Sequence, residues 1–147
     1  MENNFYEQYE LFYSGKYTVL YDCSKEVPHL SIALWKGLYD VQDQKFIDEI
    51  NLSLNFIKNK QIVAMISDHS DLKPVPQIAM DLVHKTWYPT AYKNGLRIEA
   101  CLKPYSAVAD LSLKRMINKT NISLINAITF PNFKEAYDFC KKFLEKY

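Results

Sequence analysis

The densest cluster of reactive side chains in this sequence is Asp68-His69-Ser70-Asp71. A carboxylate, an imidazole and a hydroxyl in succession raise three readings. In a hydrolase, Ser70 would be the nucleophile, a histidine its base and an aspartate the group that orients the base. His69 is badly placed for that task, since adjacent side chains rarely converge on one reacting atom, and the glycines of a nucleophile elbow do not flank Ser70. His84 is the other histidine that could approach it. A metal site could be drawn from Asp68, His69, Asp71 and His29, yet no regular spacing unites them, and hard-cation loops carry a denser ligand pattern. The third reading is structural: Asp68, Ser70 and Asp71 satisfy backbone donors in a tight turn and cap the next helix. The pattern favours this reading. No catalytic residue, metal or cofactor is assigned, and the chain is read as a non-enzyme.

Aromatic residues supply the other candidates. Trp35 and Trp87, with Tyr88, could line a pocket beside Asp68, His69, Ser70 and Asp71 for a small apolar or nucleotide-like ligand, or they could fill the core. At the N-terminal end, Phe5, Tyr6, Tyr9, Phe12, Tyr13, Tyr17 and Tyr21 are more aromatics than one sheet face needs. Exposed aromatic clusters on an edge hairpin mark interfaces. Tyr9, Phe12, Tyr13 and Tyr17 are therefore the candidate surface for self-association into a homodimer.

The elements that position these residues follow from periodicity. Alternating residues on either side of Ser14-Gly15-Lys16 predict a β-hairpin over about 6–23, its first strand starting at Glu7. Leu30-Ser31-Ile32-Ala33-Leu34-Trp35 is a third strand, ended by Gly37. Asp40 and Asp43 start a helix whose Phe46, Ile47, Ile50, Leu54 and Ile57 recur at helical spacing. Ile62-Val63-Ala64-Met65-Ile66 reads as a buried parallel strand. The next helix is predicted over 75–88, with Ile78, Leu82 and Val83 inward and Trp87-Tyr88-Pro89 at its end. Short strands are expected at 98–102 and 124–130. Between them Ser106 caps a helix carrying Val108, Leu111 and Met116, and Asn132 opens a terminal helix with Phe133, Ala136, Cys140, Phe143 and Leu144. The order β-β-β-α-β-α-β-α-β-α predicts a mixed α/β sheet, antiparallel first and then parallel, flanked by about four helices.

A chain of 147 residues fits one domain, 1–147, with a real core. Its 18 basic and 17 acidic residues nearly cancel, which points away from nucleic acid. No apolar run approaches the ~20 residues of a membrane span, and the N-terminus lacks a signal-peptide pattern, so a cytoplasmic location without membrane insertion is expected. Glycosylation patterns at Asn51, Asn118 and Asn121 are then chance matches. The three cysteines include no C-x-x-C pair, which argues against a disulfide framework or zinc. Three glycines, at 15, 37 and 95, leave no phosphate-cradling loop.

Five motifs share a further pattern: Trp35-Lys36-Gly37; Ile66-Ser67-Asp68-His69-Ser70-Asp71-Leu72; Trp87-Tyr88-Pro89; Asn94-Gly95-Leu96-Arg97; and Phe130-Pro131-Asn132-Phe133-Lys134-Glu135-Ala136. In these, residues 35–143 resemble the STAS-like, SpoIIAA-like domains, whose fold type is shared with CRAL-TRIO lipid-binding domains. The resemblance implies a regulatory or protein-interaction module rather than an enzyme. It would contact a partner through the loop 68–76 and the following helix. Better-known relatives are anti-sigma-factor antagonists switched by phosphorylation of a serine at the start of that helix. The comparable positions here are near Val75, Pro76 and Gln77, and Ser70 lies several residues early, so the switch is not carried over.

Overall fold

Strands joined by tight turns must run antiparallel, and strands joined through helices run parallel. This chain does both in one sheet. The structure, a computed structural model, describes residues 5–120 and 124–147; the glycosylation pattern at Asn121 lies outside them. The strands are β1 Glu10–Ser14, β2 Thr18–Asp22, β3 Leu30–Trp35, β4 Ala64–Asp68, β5 Ile98–Leu102 and β6 Asn126–Phe130. They lie side by side in sequence order. β1–β2 and β2–β3 are antiparallel, and β3 through β6 are parallel. The single mixed α/β sheet is the one expected.

Helices cross between the parallel strands: α1 Gln44–Asn59, then α2 Gln77–Leu82 running through a π turn Val83–Trp87 into α3 Tyr88–Lys93, then α4 Ala107–Thr120. Right-handed crossovers in a sheet that grows in one direction put all of these on the same face. Phe46, Ile57, Met80, Trp87, Leu113 and Met116 accordingly share one core with Leu20, Trp35 and Met65 of the sheet. The last helix, α5 Phe133–Leu144, returns over the opposite face, where Ala136, Cys140 and Leu144 join Tyr6, Tyr9, Ile32, Ile66 and Ala100. Strand alternation sends Ala33 and Trp35 to one core and Leu30, Ile32 and Leu34 to the other. Full burial of one such apolar side chain is worth ~1.5–3 kcal/mol.

Caps fall where the residue types place them. Asp43 accepts from Lys45 N–H at 3.0 Å, Ser106 Oγ from Ala109 N–H at 3.2 Å, and Asn132 Oδ1 from Glu135 N–H at 3.0 Å.

Three expectations need correction. The first strand begins at Glu10, not Glu7, because residues 6–8 turn, with Tyr9 N–H donating to Tyr6 O at 3.0 Å. That turn lets the Tyr6 ring enter the second core, 3% exposed. The second helical segment does not end at Tyr88–Pro89 but continues to Lys93. Proline lacks the donor for an α-helical bond and clashes with the preceding turn. The π turn, in which Tyr88 N–H reaches back to Val83 O, brings Pro89 in at the start of α3. Finally, Ile78 points outward, 64% exposed, because Ala79, Met80 and Val83 set the buried stripe; Val108 and Leu111 are likewise outside the stripe of Ala109, Leu113, Met116 and Ile117.

Candidate functional site

The register places Asp68 at the C-terminal end of β4, between Leu34 of β3 and Leu102 of β5. Its carboxylate is already engaged. Oδ2 accepts from the Tyr6 hydroxyl at 2.6 Å, and Oδ1 accepts from the Ser70 N–H at 2.9 Å and from the Ser70 hydroxyl. The Ser70 proton therefore rests on a carboxylate in a closed turn, with no imidazole as its acceptor. His69 turns inward and is 2% exposed. Its N–H and Nδ1–H both donate to Leu102 O, at 3.1 and 3.2 Å, since a carbonyl can only accept. Burial holds its pKa below the usual histidine value, against the opposing charge of Glu99. The Asp71 side chain points outward. The four side chains thus do not converge on a reacting atom; they build a turn.

His29 stands at the other end of the sheet. It precedes Leu30, which pairs with Ala64, four residues of strand (~13 Å) from the Asp68 level. Among the described residues no three of His, Cys, Asp and Glu are grouped to hold a metal.

Trp35 and Trp87 do come together, as core residues 5% and 3% exposed. Their rings meet edge to face, with centroids 5.8 Å apart. Both indoles donate inward: Trp35 Nε1–H to Ser67 Oγ at 3.1 Å, and Trp87 Nε1–H to Ser53 Oγ at 3.0 Å. Ser67 in turn donates to Glu99 Oε2 at 2.7 Å, and the Tyr88 hydroxyl donates to Glu99 Oε1. The two tryptophans border a cavity of about 20 Å³ of space open to a water's centre, together with Tyr39, His69, Tyr88 and Glu99. That is room for one or two waters. Ser67, Glu99 and Tyr39 are the residues that sequence reading missed. The signal was present: a central strand of a parallel sheet is covered on both faces, so the lone glutamate of Ile98-Glu99-Ala100-Cys101-Leu102 had to be buried.

The candidate interface residues divide. Tyr9 and Tyr17 are 9% and 4% exposed and belong to the chain's own two cores. Each packs on rings inside the molecule, Tyr9 on Phe133 and Tyr17 on Phe46. Tyr13 is half-buried, and Phe12 is 45% exposed while its ring packs at a tilt against Phe56.

The loops after β3, β4 and β5 are linked by Gly37 N–H to Asp71 O, Lys73 N–H to Gly37 O, and Tyr105 N–H to Ser70 O, each 3.1 Å. Gly37 sits at φ +78°, where an L side chain would be strained. On these loops and the helix starts beyond them, Leu38, Ile78, Tyr105, Val108 and Leu111 are each more than half exposed.

No protein-family model and no curated protein matches the sequence. Among solved structures, a chain described under "The overall structure of SLC26A9" superposes on 86% of this chain with a TM-score of 0.53 and 15% identity. The match takes up 23% of that chain, so this sequence spans under a quarter of its length. SLC26A9 has a STAS domain, and the superposition shows that this chain has a STAS-like fold. At that identity the likeness carries the fold alone. Among the described residues no helix is long and apolar enough to cross a membrane.

Proposed function

We propose that this chain is a non-enzymatic interaction module that docks a protein partner at the C-terminal edge of its parallel strands. The observation that carries this reading is the linked set of loops after β3, β4 and β5, with Leu38 and Tyr105 exposed on the loops and Ile78, Val108 and Leu111 exposed on the helices that follow. Backbone hydrogen bonds between loops pre-form the surface, which lowers the ordering cost of association. Side chains of this size exposed together mark interaction sites. The loop 68–76 then serves as scaffold: Asp68 and Ser70 hold its shape, and the apolar residues around it make the contact. A non-enzymatic role agrees with a Ser70 hydroxyl committed to Asp68. The three buried, free thiols suit a reducing compartment, and we assign the module to the cytoplasm.

Site-specific photo-crosslinking in the source cells tests this. A photoreactive residue at Ile78 or Leu111 should trap one discrete adduct, and the same group at the exposed Lys93, at the opposite edge of the sheet, should trap none. Equal labelling at both edges, or none at either, overturns the reading.

A second reading, a homodimer, rests on Leu11 and Phe12, 56% and 45% exposed on the edge strand β1. An edge strand offers unpaired backbone groups to a second copy, although the bulge between Leu11 and Tyr13 blunts this one. A single monomer mass by light scattering at micromolar concentration removes it.

A further inference from the structure

Glu99 is 2% exposed in a central strand, and hydroxyl groups are the donors that reach its oxygens: Ser67 to Oε2 and Tyr88 to Oε1. Among the described residues no lysine or arginine pairs with it. Taking a carboxylate out of water is costly unless hydrogen bonds and a positive partner answer it, and the two hydroxyls supply only the hydrogen bonds. His69, which also lines the cavity, is pushed towards its neutral form by burial, against the pull of the Glu99 carboxylate and of its bond to Leu102 O.

The cavity walls have the same bias. Trp35, Tyr39, Trp87 and Tyr88 border it beside Glu99. Trp87 stands nearly perpendicular to both Trp35 and Tyr88, at 88° and 89°. Ring faces carry the negative side of the aromatic quadrupole and attract cations, tryptophan most strongly. The π turn Val83–Trp87 leads directly into this wall, and it leaves the consecutive residues Trp87 and Tyr88 both buried at 3%. Such turns recur at functional sites.

We propose that this aromatic box closed by Glu99 is a binding site for a small ammonium cation, either ammonium itself or the head of a methylammonium. The cation donates hydrogen bonds to Glu99 and lies against the tryptophan faces. Size sets the class: about 20 Å³ of centre space admits a group the size of one or two waters, not a nucleotide or a lipid. Chemistry sets the charge: the wall is four aromatic rings, the His69 imidazole and the apolar Ile50, Val83 and Met116 with one carboxylate, unlike the six to eight oxygens a calcium ion takes. The inference is independent of the docking surface, which lies on the outer loops.

The site carries its own probe, because the chain's two tryptophans both line it. Tryptophan fluorescence and melting temperature are followed while methylammonium chloride replaces sodium chloride at constant ionic strength. The expected result is a saturable fluorescence change with a rise in melting temperature, matched by ammonium and absent with tetramethylammonium, which is too large. The near-isosteric Glu99→Gln should weaken the response at least tenfold. Identical curves in sodium and methylammonium overturn the proposal from the wild-type protein alone, whatever the variant does. Saturable binding that survives in a folded Glu99→Gln protein also overturns it.

Discussion

Glu49 belongs to α1, yet its carboxylate closes the turn between β1 and β2. Oε1 accepts from the N–H groups of Tyr17 and Thr18 and Oε2 from that of Lys16, all at 2.9 Å, with the residue 4% exposed. A Cβ on Gly15 would lie 2.5 Å from Oε2, so the turn needs a glycine for space rather than for a backbone angle. Glu49→Ala leaves the buried donors of Tyr17 and Thr18 unpaired, and at ~1–3 kcal/mol each we expect a loss of about 3 kcal/mol in urea unfolding. Glu49→Gln keeps one acceptor oxygen and should lose clearly less; equal losses would mean that packing, not hydrogen bonding, sets the cost. His69 makes a pH prediction. Its folded pKa is lowered, burial being the main cause, so below the ordinary value of about 6.5 the unfolded chain binds the extra proton more readily. Stability should therefore fall as pH drops from about 7 towards 5. In His69→Gln the slope over that window should be shallower in chemical-denaturation series; an unchanged slope assigns it to other groups.

At the scale of elements, the legible parts were those where one local rule decides. β4 reads as Ala-Met-Ile with both faces covered, α1 as a stripe from Phe46 to Ile57, and Asp43, Ser106 and Asn132 as caps. Illegible parts were decided by partners distant in sequence. The turn at residues 6–8 exists because Tyr6 reaches Asp68, 62 residues away. The helix passes Pro89 because Tyr88 is held by Glu99 and Trp87 by Ser53, contacts that no reading of residues 75–88 contains. The apolar outer residues Ile78, Val108 and Leu111 misled for the same reason: periodicity finds a stripe but not which of two overlapping stripes meets the sheet. A proline in a regular helix interior costs ~3 kcal/mol. If the π turn absorbs that conflict, Pro89→Ala should stabilise by well under 3 kcal/mol and leave tryptophan fluorescence unchanged. A gain of the full amount would show that the conflict is still present in the native helix.

At the scale of the molecule, one sheet backs two cores, and strands β2 to β5 send alternate residues to each. Both cores share the sheet as one of their two walls, so removing the helical cover from one face exposes the backing of the other. That geometry predicts a single cooperative transition. The sequence provides a clean test, because Trp35 and Trp87 both lie in the core beneath α1 to α4, while α5 covers the opposite face. Leu144 of α5 is 5% exposed and belongs to the core without tryptophan. Leu144→Ala should cost ~2–5 kcal/mol, the usual range for a buried leucine. If the sheet couples its faces, the tryptophan transition in urea moves by the whole of that amount and coincides with the loss of far-ultraviolet dichroism. If the faces are separate units, dichroism acquires an early step while the tryptophan midpoint stays in place. The first outcome is expected, because Trp35 is carried by β3, the same strand whose Leu30, Ile32 and Leu34 form the wall against which α5 packs.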